Sequence, residues 1–141
     1  MEYAIGLVLA LVVSVFARSV GLDRDRAFYP TVLIVVALLY VLFAVMGGSM
    51  RALLLESMVM ALFLCAAVLG FKFNMWLVAA GLAAHGVFDF LHRYILTNPG
   101  VPEWWPAFCG AYDVAAAGVL AWLVWSSRVV PRKAPARPLH G

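Results

Sequence analysis

One helix-length apolar stretch, from Asn74 to Asn98, carries His85, Asp89 and His92. The spacing i, i+4, i+7 sets these side chains at about 0°, 40° and −20° around an α-helix, on one stripe about 10 Å long. Ionisable groups in hydrocarbon cost roughly 2.5–3.5 kcal/mol each on insertion scales, and those that occur there usually face a bundle interior, pair with one another and mark a site. Two imidazoles with carboxylates around them are a donor set for Zn²⁺, Mn²⁺ or Fe²⁺. Zinc is the expected ion. With an open coordination position it would activate water, and a spare carboxylate would act as general base.

The elements that hold this stripe follow from composition. The chain has 141 residues, of which 66% are hydrophobic and 12% charged, with a mean hydropathy of +1.00. A soluble domain averages about 45–50% apolar and about 25% charged. The sequence therefore predicts an all-α, polytopic membrane protein, with five transmembrane helices in one bundle. The expected spans are residues 3–22, 29–46, 50–71, 74–97 and 104–127, each near the ~20 residues that a bilayer requires. Residues 1–128 form the expected membrane domain, and 129–141 an expected disordered, basic tail rich in proline. The first segment lacks the basic n-region of a signal peptide and is read as a retained helix.

The basic residues give an orientation. Arg18, Arg24, Arg26, Lys72, Arg128, Arg132, Lys133 and Arg137 fall on one side, Arg51 and Arg93 on the other. By the positive-inside rule the N-terminus is outside and the tail cytoplasmic, in a multi-pass protein of the cytoplasmic (inner) membrane. The net charge of +3 lies in loops and tail, so nucleic acid is not an expected partner.

In that orientation Glu56, His85, Asp89, His92 and Asp113 all fall in the outer half of the membrane, within about two to three helical turns of one depth. Tyr40 shares that half. His85, Asp89, His92 and Asp113 are the expected metal ligands, with Glu56 and Asp113 as catalytic carboxylates. The expected function is metal-dependent hydrolysis of a lipid or other apolar small molecule. Two alternatives use the same residues: a cation or proton relay, and a hydrogen-bonded knot that fixes helix packing without a ligand. Glu56, near an interface, is also open to simple solvation. Cys109 reads as a small buried hydrophobe. Cys65 and Cys109 lie at different depths, so no disulfide joins them. A homo-oligomer remains open.

The segments Ala84-His85-Gly86-Val87-Phe88-Asp89-Phe90-Leu91-His92-Arg93, Asn98-Pro99-Gly100-Val101-Pro102 and Phe108-Cys109-Gly110-Ala111-Tyr112-Asp113 resemble a family of small bacterial integral membrane proteins of unknown function. The family pattern is similar to A-H-x-x-W-D-x-x-H-H, then N-P-x-V-P, then C-x-x-x-D. The resemblance spans roughly residues 74–120. This chain has Phe88 in place of the tryptophan and Arg93 in place of the second histidine, which removes one possible ligand. The resemblance implies a site and names no reaction. A looser similarity, in chemistry alone, is to membrane hydrolases such as alkaline ceramidases and adiponectin-receptor-like proteins, which hold zinc with membrane-embedded His and Asp.

Overall fold

A computed structural model describes residues 1–129. The expectation for the tail lies, from residue 130 onward, outside them. Among the described residues the protein is all-helical: α1 (Glu2–Val20), α2 (Phe28–Met46), α3 (Met50–Lys72), α4 (Met75–Ile95) and α5 (Trp105–Trp125), with a short 3₁₀ turn at Leu22–Arg24 between α1 and α2. All five α-helices are long and apolar enough to cross a membrane. Their bounds lie within two residues of those expected.

Local signals set the ends. Gly21 closes α1 with φ of 84°, a left-handed conformation that favours glycine. Ser49 caps α3 by accepting a hydrogen bond from the Ala52 N–H, and Asn74 caps α4 by accepting from that of Trp76. Asn74 therefore precedes the fourth helix as its cap. Pro30 and Pro106 occupy first turns, where a missing N–H breaks no helical bond.

The packing centres on α4. It lies against α5, α3 and α2, while α1 packs on α5 and α2 on α3. Its buried residues run Met75, Val78, Ala79, Gly81, Leu82, His85, Gly86, Asp89 and His92. That one stripe is apolar in its first half and polar in its second. Leu33, Val78, Leu82, Leu120 and Leu123 fill the apolar half of the core. Outward-facing side chains such as Val15, Leu62, Leu54 and Val87 are exposed and apolar, as lipid contact requires.

Glycine brings α4 and α5 together where the polar half begins. A methyl group on Gly86 would lie 2.9 Å from Val114 and 3.0 Å from the Gly110 carbonyl oxygen. One on Gly110 would meet the Phe90 ring at 2.8 Å. This close approach, typical of small residues at membrane helix interfaces, puts the polar stripe of α4 directly against Asp113.

Candidate metal centre

Asp113, on α5, faces His85 across that interface, and its Oδ2 lies 2.6 Å from His85 Nδ1. Asp89, one turn along α4 from His85, has Oδ2 at 3.6 Å from the same nitrogen. Cys109 stands four residues before Asp113 on α5, so its Sγ lies on the same face, 3.8 Å from Asp113 Oδ2. Ligand atoms from His85, Asp89, Cys109 and Asp113 all lie within 4.8 Å of one another, and all four residues are buried. These four could hold a metal ion.

The second histidine has a different partner. His92 Nε2 lies 2.7 Å from Glu56 Oε1, on α3. The same oxygen accepts a bond from Asn98 Nδ2 at 3.0 Å, and that amide also donates to the Tyr40 carbonyl at 3.1 Å. Glu56 is 1% exposed, so the simple solvation that its position allowed is not what the structure shows. His92 thus stands in a Glu56–His92–Asn98 group beside the four-residue cluster.

Tyr40 of α2 joins the two groups. Its ring stacks on His92 with centroids 4.3 Å apart and lies 6.0 Å from that of His85. Phe63 and Phe88 wall the histidines, with Phe63 packed edge-on against His85 at 4.8 Å. Phe88 holds an inward place between both imidazoles. The cluster is therefore roofed by rings that keep its dielectric low.

Polar groups are left over. Both oxygens of Asp89, Asp113 Oδ1, Glu56 Oε2 and the Tyr40 hydroxyl are buried without a hydrogen-bond partner. Buried polar groups are bonded in the great majority of cases, and each exception calls for an explanation. Three of these five atoms, on Asp89 and Asp113, lie within the four-donor cluster, where donors to a cation would stand.

The candidates named from sequence all lie in this polar end of the bundle. His85, Asp89 and Asp113 meet one another, and Glu56 meets His92. Two participants carried weaker signals. Cys109 precedes Asp113 by four residues, the spacing that stacks side chains on a helix face, and that spacing was the available clue. Asn98 lies in the loop after α4, and only tertiary contact shows that its amide reaches α2 and α3. Cys65 and Cys109 are both free, the first exposed and the second buried.

Compared with known proteins, the chain matches no family model, no curated protein and no solved structure. Among the described residues, fold and site together define five membrane-span-like helices and a buried His/Asp/Cys cluster that could hold a metal ion.

Proposed function

We propose that this protein is a metal-dependent hydrolase of the cytoplasmic membrane, with His85, Asp89, Asp113 and Cys109 holding a divalent ion. The observation that carries this reading is the set of unpartnered carboxylate oxygens inside the four-donor cluster. Two buried carboxylates sharing one imidazole need a countercharge, since removing an ion from water costs several kcal/mol unless it is compensated. A thiolate and an imidazole beside carboxylates suit Zn²⁺ better than Mg²⁺ or Ca²⁺, which prefer oxygen alone. Tetrahedral zinc with bonds of about 2.0–2.3 Å sets its donors about 3.3–3.8 Å apart. For all four to bind one ion, the 2.6 Å contact of His85 Nδ1 with Asp113 Oδ2 would open and the wider separations, up to 4.8 Å, would close.

A zinc ion there would polarise a carbonyl or phosphoryl oxygen and make a bound water more acidic. The chain supplies the rest. Glu56, with Oε2 unpartnered, takes the proton from the attacking water. Water oxygen bonds to the electrophilic carbon or phosphorus, the bond to the leaving group breaks, and the proton passes to the leaving group. His92 and Asn98 hold Glu56 in place through its other oxygen. His92 and Asn98, which hold Glu56, also line a polar cavity of about 580 Å³ with Arg93, Thr97 and Glu103, the side from which water would come.

The apolar core beyond His85 weighs against the relay. Leu33, Val78, Leu82 and Leu120, all buried, occupy the next turns of the bundle interior. The test is paired. Glu56→Gln preserves Oε1 as acceptor, so the expected outcome is full metal content and loss of turnover of lipid esters or amides. His85→Ala is expected to lose both. Metal or proton flux into proteoliposomes without any hydrolysis would replace the enzyme with the relay.

A further inference from the structure

One cavity shares a residue with the four-donor cluster. Because α1 packs on α5 while α2 packs on α3 and α4, a gap remains between α1 and α2. It forms a groove of about 450 Å³, floored by α5. Leu9 and Val13 form one wall, Val32 and Leu39 the other, and Trp105 and Cys109 the floor. The volume falls within the roughly 300–1,000 Å³ usual for small-molecule sites. Along α2 the groove extends from Phe28 to Leu39, about 16 Å at ~1.5 Å per residue.

Cys109 gives this groove its meaning. The same buried residue lines the groove and places its Sγ 3.8 Å from Asp113. An occupant of the groove therefore passes beside the cluster. The Trp105 indole N–H, a residue of the same floor, is buried without a hydrogen-bond partner. Three helices long enough to span a membrane supply the walls, and the lining is almost wholly apolar, so the occupant is apolar and comes from the bilayer rather than from water.

We infer that the groove between α1, α2 and α5 is a binding site for one acyl chain of a membrane amphiphile, entered sideways from the bilayer, with the carbonyl end of the chain at Cys109. This rests on the hydrolase reading for its substrate role, but not for its binding role. It narrows the substrate class to acyl esters or amides. The chain lies in the groove, the carbonyl at the cluster, and the leaving group toward the polar cavity at His92.

The experiment is a titration of purified protein in detergent with palmitic acid, followed by native mass spectrometry. Wild type is expected to bind palmitate saturably. Val13→Trp, which fills the groove from α1, is expected to weaken binding about tenfold or more by occupying the same volume. Leu39→Trp, from the α2 wall, is expected to do the same, so the inference does not depend on one variant folding. Val15→Trp, on the 67% exposed outer face of α1, is expected to bind as wild type. Non-saturable binding, or equal binding in Val13→Trp, Leu39→Trp and Val15→Trp, overturns the inference. His85→Ala separates the two claims. Palmitate bound normally by a protein without metal or turnover upholds the groove while the hydrolase falls. A metal-loaded, active protein that ignores the groove variants does the reverse.

Discussion

Replacing Asp89 by asparagine should have opposite effects with and without zinc. Asp89 is fully buried, neither of its oxygens has a hydrogen-bond partner, and its neighbour across the cluster is a second buried carboxylate. Asparagine keeps the shape and removes the charge. In chelator, the variant should therefore be as stable as wild type or more so, since a buried carboxylate whose one cationic neighbour, His85 at 3.6 Å, is shared with Asp113 is dearer than a buried amide. With zinc the order reverses. A ligand held at 100 times its Kd stabilises the folded state by about 2.7 kcal/mol. Losses of partners that merely orient ligands weaken metal sites about 10–100-fold, and a direct donor should cost at least the upper figure. At the same zinc concentration the variant is then near its Kd and gains only about 0.4 kcal/mol. The assay is thermal unfolding in detergent, with zinc and with chelator, alongside elemental analysis of the purified protein. A packing knot without a ligand predicts that zinc is irrelevant and that Asp89→Asn changes stability equally in both conditions. That result, or wild-type zinc content in the variant, would refute the metal centre.

Other expectations follow from the neighbouring group and from topology. Asn98→Ala should cost about 1–3 kcal/mol, because it leaves the buried Tyr40 carbonyl and Glu56 without that donor. It should keep full zinc content, since Asn98 touches none of the four donors, and calorimetry with elemental analysis checks both halves. A reporter enzyme fused after Gly141 should be active only in its cytoplasmic form, on the charge asymmetry of eight basic residues against two. Activity of a periplasmic reporter at that position would invert the proposed orientation and the leaflet from which the site opens.

The bundle was legible because its signals are local. Each span carries its own length of apolar residues, and Gly21, Ser49 and Asn74 terminate or start helices through bonds to their own neighbours. The stripe of His85, Asp89 and His92 was legible for the same reason, as helical periodicity alone aligns it. The partition of that stripe was not. Whether His92 turns to Asp89 or to Glu56 depends on how α3 leans on α4, a tertiary quantity with no local signature. Asn98 was hidden for the same reason, since its contacts reach back 42 and 58 positions along the chain. The Cys109–Asp113 spacing did carry a local signal, set aside because buried cysteines are so often mere packing.

The distances in sequence also impose an order of assembly. Glu56 lies on the third helix, but the groups that satisfy it, His92 and Asn98, are synthesised 36 and 42 residues later. Helices entering a membrane in chain order would bring α3 in with an unanswered carboxylate, at the edge of what insertion tolerates. The bundle is completed only when the hairpin of α4 and α5 arrives and its connecting loop settles onto the end of α2, where Gly100 fits against the Phe43 carbonyl too closely for any side chain. That loop then acts as the clasp of the whole molecule. Chains stalled before it would leave Glu56 without His92 and Asn98, its two partners.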